Sequence, residues 1–146
     1  MTTTAVQVRD AETSDAEALA RLCTQLGYPA EPASMPARLA RLDAAGDARA
    51  LVATEGGNVL GLATVHLRHA LNHAAPLAQL SLLVVDERAR GRGVGRTLVA
   101  AAEAWARERG CHRMIVTTAL QRSDAHAFYE RIGYAHTGRR YGRDFS

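Results

Sequence analysis

Val6 and Val8 alternate with polar neighbours, the pattern of a short first strand. Leu19, Leu22, Cys23 and Leu26 then recur at helical spacing behind Ser14-x-x-Glu17, which reads as a capping box, and Gly27 supplies the stop. A loop from Tyr28 to Ala33, carrying Pro29 and Pro32, leads to a second, shorter helix opened by Ser34 and Pro36, running through Leu39 and Leu42 and closed by Gly46. Ala50 to Ala53 and Val59 to Leu67 form a predicted hairpin around Glu55-Gly56-Gly57-Asn58. After a loop from Ala70 to Pro76, Leu77 to Val85 is almost unbroken in its apolar character, which predicts a strand buried on both faces. A glycine and arginine loop, Arg88 to Gly95, precedes a helix with Leu98, Ala102, Trp105 and Ala106 on one face and its end at Gly110. Met114 to Val116 is the next predicted strand. Ser123 then caps a helix with Ala125, Phe128 and Ile132 inward and Gly133 as its stop. Tyr134 to Arg140 and the tail to Phe145 read as one or two last strands. The order β-α-α-β-β-β-α-β-α-β predicts a mixed α/β fold, a sheet flanked by helices, with no internal repeat.

Composition narrows the chemistry. At 146 residues the chain is expected to be a single domain, 1–146. All 18 basic side chains are arginine, which removes Schiff-base chemistry and the GxxxxGK[ST] phosphate loop. The 29 alanines and seven aromatics predict a core of small and aliphatic side chains. Cys23 and Cys111 are too few for a disulfide framework and too far apart for a zinc motif, so both read as free thiols of a reducing compartment. There is no basic leader ahead of an apolar stretch and no run of about 18 apolar residues, so the expectation is a cytoplasmic protein that does not span a membrane. The net charge of +3 matters only if the arginines cluster.

They do cluster at Val84-Val85-Asp86-Glu87-Arg88-Ala89-Arg90-Gly91-Arg92-Gly93-Val94-Gly95-Arg96. A strand running through three glycines into a helix turns several backbone N–H groups toward one spot, beside the positive end of the helix dipole. That is an anion site, most simply for a pyrophosphate, and Arg88, Arg90, Arg92 and Arg96 bring four guanidinium forks to it. The alternative is a tight turn beneath a solvated arginine face. A dinucleotide loop would need a third glycine where Arg96 stands, and it would follow a first strand rather than a fourth.

Arg90-x-x-Gly93-x-Gly95 after a Val-Asp strand end resembles the [QR]-x-x-G-x-[GA] acetyl-CoA signature of the GNAT superfamily of N-acetyltransferases. Asp124-Ala125-His126-Ala127-Phe128-Tyr129-Glu130-Arg131-Ile132-Gly133-Tyr134 is similar to that superfamily's A-x-x-F-Y-E-x-x-G-[FY] segment, in the same order and one helix and one strand later. The resemblance implies acetyl-CoA as donor and direct transfer to an amine in a ternary complex, with no enzyme nucleophile. It implies that Leu83, Val84 and Val85 pair with the pantetheine arm where the strand splays from its neighbour. It implies that Arg90, Gly91, Arg92, Gly93, Val94, Gly95 and Arg96 hold the phosphates, and that Tyr129 protonates the leaving thiolate. Where many relatives carry a cofactor-contacting asparagine, this chain has Arg122, the one departure from the pattern.

The proton acceptor is less defined. Many relatives use a glutamate on the fourth strand, whereas Gln79 and Ser81 stand there, neither a base. His66 and His73 are the candidates, with His69 between them, because imidazole titrates in the useful range. No acidic partner accompanies the histidines, so no metal is expected. Tyr28, Glu31 and the histidine segment are candidates for the acceptor pocket. A small-molecule primary amine is the expected substrate, and an aminoglycoside is disfavoured because no carboxylate cluster is present. The alternatives are transfer to a protein N-terminus or lysine, and a sensor that binds acetyl-CoA without transferring it. Nucleic acid is not expected as a partner, since aromatics do not interleave with the arginines. A homodimer is admitted by the resemblance.

Overall fold

The computed structural model describes residues 5–117, 123–138 and 140–145. In chain order the elements are β1 (Gln7–Asp10), α1 (Ala16–Leu26), α2 (Met35–Ala45), β2 (Ala48–Glu55), β3 (Asn58–Arg68), β4 (Leu77–Val85), α3 (Val94–Glu108), β5 (Arg113–Val116) and α4 (Ser123–Arg131). The five strands form one sheet in that same order, antiparallel from β1 to β4 and parallel between β4 and β5. The fold is therefore the mixed α/β sheet flanked by helices that the pattern predicts.

Each face of the sheet has its own core. Ala63, Val65, Leu67, Ala78 and Leu80 pack under Val94, Leu98, Ala102 and Trp105 of α3. Val52, Leu62 and Val84 pack on the other side under Leu19, Leu22 and Met35 from α1 and α2. Leu19, Leu22, Leu80 and Leu98 are fully buried, and truncating any one to alanine is worth about 2–5 kcal/mol. Strand alternation assigns the remaining faces: Thr64 and His66 share the side of Leu62, and both are partly buried.

That alternation breaks once on β4. Ala78 and Leu80 face α3, yet so do Leu83 and Val85, while Leu82 and Val84 face the opposite way. An even set becomes an odd set because the β3–β4 register slips: Thr64 pairs with Leu82, Val65 pairs with Leu80, and Ser81 is the extra residue of a bulge. The expectation of a strand buried on both faces fails here, since Ser81 is exposed and Leu82 and Leu83 are only half-buried.

The glycine stops act as the sequence suggests. Gly27, Gly46 and Gly133 all take positive φ, at 108°, 76° and 102°, which lets the chain turn off the end of each helix. The entry to α1 is a correction. Glu12, not Ser14, starts a 3-10 turn over Thr13–Asp15, and Asp15 Oδ2 accepts from the Glu12 N–H at 2.8 Å. Asp15 wins because Arg9 reaches it with a two-pronged fork at 2.8 and 2.9 Å, a partner Ser14 lacks. The last strands are a second correction: the described residues from Tyr134 onward, 134–138 and 140–145, are irregular. Gly138 and Gly142 interrupt that segment, and Tyr141 and Phe145 find no apolar face, standing 86% and 95% exposed. Among the described residues no helix is long and apolar enough to cross a membrane.

Candidate active site

The site begins where β5 stops pairing. The parallel ladder runs from Leu77 opposite Arg113 to Leu80 opposite Val116, and from Ser81 to Val85 no described residue pairs with β4 on that side. Its backbone groups there can be assigned. The Asp86 N–H donates to Leu60 of β3 at 2.7 Å. In the same trans peptide the Val85 carbonyl must point the opposite way, into the gap, and Arg90 Nε donates to it at 3.4 Å. The Val84 carbonyl lies on the β3 side, 3.1 Å from where a Cβ on Gly61 would stand. By alternation Leu83 and Val85 turn their N–H and C=O groups into the gap, whereas those of Val84 serve the ladder to β3.

Beyond β4 the chain enters the glycine loop. Gly91 and Gly93 take φ of 79° and 78°, conformations that exclude ordinary side chains, and Gly93 is the N-cap of α3. The first N–H groups of this 15-residue helix, those of Val94, Gly95 and Arg96, have no carbonyl a turn earlier and point out of its positive end. Gly95 serves a different purpose. A Cβ there would come within 3.3 Å of Phe128 Cζ and 3.5 Å of Val85 Cγ2, so its absence lets α4 close over the loop.

The four arginines are not equivalent. Arg92 Nη2 is 2.6 Å from Glu55 Oε2, carried in by the β2–β3 turn, and is thereby partly neutralised. Arg88 stands 3.7 Å from Asp86 and is largely exposed. Arg90 and Arg96 are exposed, with no carboxylate partner among the described residues. Arg122 lies outside the described residues.

Asp86, which the sequence reading did not single out, holds this loop in place. It is 3% exposed; one oxygen accepts from the Arg88 N–H at 3.1 Å and the other sits 3.3 Å from Arg21 of α1. Burial pushes its carboxyl up, but the Arg88 N–H and the guanidiniums of Arg21 and Arg88 outweigh that and leave it below the usual carboxylate range. Gln25, one turn along α1, accepts from the Glu87 N–H at 3.1 Å. A carboxylate at the end of an apolar strand is a signal the sequence carries. Its partner 65 positions upstream is not.

On α4, Tyr129 is half-buried, its ring edge-on to Phe128 at 5.2 Å and to Tyr134 at 5.9 Å. Tyr134 fixes this group: its hydroxyl donates to Glu103 of α3 at 2.6 Å and its N–H donates to the Tyr129 carbonyl at 2.9 Å. Burial first, and then the adjacent Glu103 carboxylate, push the Tyr134 phenol well above its ordinary value, so it remains a donor.

The two histidine candidates separate. His66 stands beside the bulge with Nε2 2.6 Å from Ser81 Oγ, and Thr64 Oγ1 is 2.7 Å from the same oxygen. His73 is on the loop between β3 and β4, its ring 5.4 Å from His112. Between this loop and Ser81 lie the first four residues of β4, roughly 13 Å of strand. Gln79 points to the same face as Ser81 and donates to Thr117 at 2.7 Å. Tyr28 is exposed on the loop after α1, and Glu31 precedes the turn into α2. Both cysteines are free, and burial raises each thiol.

The end of the described β4–β5 pairing, the helix N-terminus behind the glycine loop, and α4, whose Phe128 meets Gly95 beside Val85, come together at one place. Residues 14–134 match the model of the acetyltransferase (GNAT) family. The chain is 32% identical to an aminoglycoside N(6')-acetyltransferase type 1 of Stenotrophomonas maltophilia, over 95% of this chain and 92% of that protein. It is 37% identical to an aminoalkylphosphonate N-acetyltransferase of Salmonella typhimurium over 57% of this chain, which spans about half (54%) of that relative's length. Among solved structures, a transcriptional regulator from Bacillus halodurans C-125 superposes with a TM-score of 0.88 at 27% identity, covering 97% of this chain and 100% of that one. The aminoglycoside N-acetyltransferase AAC(6')-Iy in complex with CoA shares the fold at TM-score 0.86 and 22% identity, covering 99% and 97% of the two chains. The chain belongs to the GNAT acetyltransferase family, and with it to the acetyl-CoA-dependent N-acetyltransferases.

Proposed function

We propose that this chain acetylates a primary amine of a small molecule by direct transfer from acetyl-CoA. The observation that carries the reading is that, among the described residues, β4 pairs with β5 only as far as Leu80, upstream of the glycine loop. Leu83 and Val85 offer the pantetheine arm backbone donors and acceptors that no described strand residue pairs with, a form of strand addition. The N–H groups of Val94, Gly95 and Arg96 hold the pyrophosphate, with Arg90 and Arg96, which have no carboxylate partner among the described residues, as its cations. Bound in this way, acetyl-CoA supplies a thioester as the acetyl donor.

The chain's own residues then have three tasks. A gap-facing N–H, that of Leu83 or Val85, stabilises negative charge as it develops on the acetyl oxygen. Tyr129 protonates the leaving sulfur. A phenol near 10 and a thiol near 8.5 differ by about 2 kcal/mol, a step small enough for proton donation. A base on the acceptor side removes a proton from nitrogen, and His66 stands there with its imidazole against the bulge.

The acceptor enters over the sheet face that α1 and α2 leave uncovered. The polar side chains that the described β3 and β4 residues place on it, Thr64, His66, Arg68, Gln79 and Ser81, carry no carboxylate. That lining suits a small amine of low charge better than a polycation. The related aminoglycoside and aminoalkylphosphonate enzymes support small amines as the class. The test is release of free thiol from acetyl-CoA across a panel holding an aminoglycoside, an aminoalkylphosphonate, polyamines, amino acids, amino sugars and a lysine peptide. Release with one of the small amines is the expected result. Release with the peptide alone, or binding of acetyl-CoA with no release at all, overturns the reading.

A further inference from the structure

Ser81 is the residue that the bulge adds to β4, and the bulge sets it on the acceptor face next to Leu82. It is also the first β4 residue past the last β5 pair among the described residues, Leu80 with Val116, so it stands where that pairing ends. Two short contacts converge on its hydroxyl, Thr64 Oγ1 at 2.7 Å and His66 Nε2 at 2.6 Å. A serine oxygen has two lone pairs and one proton. Its proton has two acceptors within reach, the Thr64 carbonyl at 3.4 Å and His66 Nε2 at 2.6 Å, and the nearer is the imidazole; when Thr64 donates to Ser81, the line runs from Thr64 through Ser81 to His66. The residues that the register sets across from His66 are Ala48 on β2 and Gln79 on β4, both uncharged, and Arg68 is the next side chain along the same face of β3.

We propose that Ser81 is a catalytic residue that relays a proton from the attacking amine to His66. The proposal rests on the reading of this chain as an amine acetyltransferase. As the nitrogen commits its lone pair to the thioester carbon, its remaining N–H becomes acidic. That proton passes to Ser81 Oγ while the Ser81 proton passes to His66 Nε2. The C–S bond breaks with its electron pair on sulfur, and sulfur takes the Tyr129 proton. His66 then returns a proton to solvent and Tyr129 recovers one. The balance is one N–C bond made, one C–S bond broken and one proton moved from nitrogen to sulfur. Serine alone is no base at neutral pH, and His66, on β3, lies across β4 from the gap; together they do what the absent strand carboxylate would do.

The experiment uses the full chain with the amine that releases thiol in the panel, and measures single-turnover acetyl transfer for Ser81→Ala, His66→Gln, their double variant and Ser81→Thr. Each single alanine or glutamine variant is expected to slow transfer roughly 100-fold, and the double variant no further than the slower single. Ser81→Thr, which keeps a hydroxyl, should recover most of the rate, with acetyl-CoA affinity unchanged throughout. Nitrogen NMR of His66 in the ligand-free wild type should show the Nδ1–H tautomer, as acceptance at Nε2 requires. Wild-type transfer by Ser81→Ala, additive losses in the double variant, or a dominant Nε2–H tautomer each overturn the relay. A wild-type protein that transfers to no amine defeats the functional reading itself, and the tautomer still reports on the hydrogen-bond line.

Discussion

Asp86→Asn tests the coupling of α1 to the glycine loop. The substitution keeps the shape and an acceptor oxygen but removes the charge, in a side chain only 3% exposed. The hydrogen bond from the Arg88 N–H drops from a charge-assisted value of about 1.5–3 kcal/mol to a neutral one near 1. The pairing with half-exposed Arg21 adds up to about 1 kcal/mol, because solvent screens it. The sum is about 2 kcal/mol, or roughly 4–8 °C in the unfolding midpoint for a chain of this size. The sign of its pH dependence follows from the depressed carboxyl. A group held below its unfolded value of about 3.9 contributes stability above that pH and loses it as the pH falls through the folded value. Wild type and variant should therefore differ fully at pH 7 and converge below about pH 4, as followed by thermal or urea unfolding at a series of pH values. Asp15 titrates in the same window but is common to both proteins and cancels. A difference under 0.5 kcal/mol at pH 7 (a threshold about the size of a neutral surface change), or one that persists unchanged to about pH 2.5, refutes the reasoning.

Tyr129→Phe should lower turnover by about 10- to 100-fold while acetyl-CoA affinity, measured by calorimetry, stays nearly unchanged; unchanged turnover removes the tyrosine from the chemistry. Tyr134→Phe loses a 2.6 Å bond to Glu103 and should cost about 1.5–3 kcal/mol. Because the folded phenol is raised, that contribution is complete below about pH 10 and fades as the pH climbs above it, so the two unfolding curves should approach each other only in alkali. Arg96→Gln should weaken coenzyme A binding about tenfold and flatten its salt dependence, whereas Arg92→Gln, whose charge Glu55 already offsets, should do less. Equal losses at the two positions count against the division of the arginines.

Most of the fold was legible because its punctuation is local. β4 occupies Leu77–Val85 as expected, bounded by Pro76 and Asp86, and the helices end at glycines that only a positive φ could use. What escaped the sequence is made by distant partners. Ser14 looked like the better cap until Arg9 reached Asp15. The loop arginines looked alike until the hairpin brought Glu55 to Arg92, 37 residues away. Ser81 reads as an unremarkable polar interruption in an apolar strand, since a bulge changes which face a residue occupies without changing the residue order. The tail is the opposite case: it reads as one or two strands, yet its described residues are irregular, with Gly138 and Gly142 interrupting it and Tyr141 and Phe145 exposed.

The account stands on the gap beside β4 as the donor's place. Amide hydrogen exchange, followed residue by residue with and without acetyl-CoA, reads that gap directly. The prediction is that binding slows exchange at Leu83 and Val85, along with Val94, Gly95 and Arg96, and leaves Val84, already bonded to β3, little changed. Unaltered exchange at Leu83 and Val85 under saturating acetyl-CoA would contradict it.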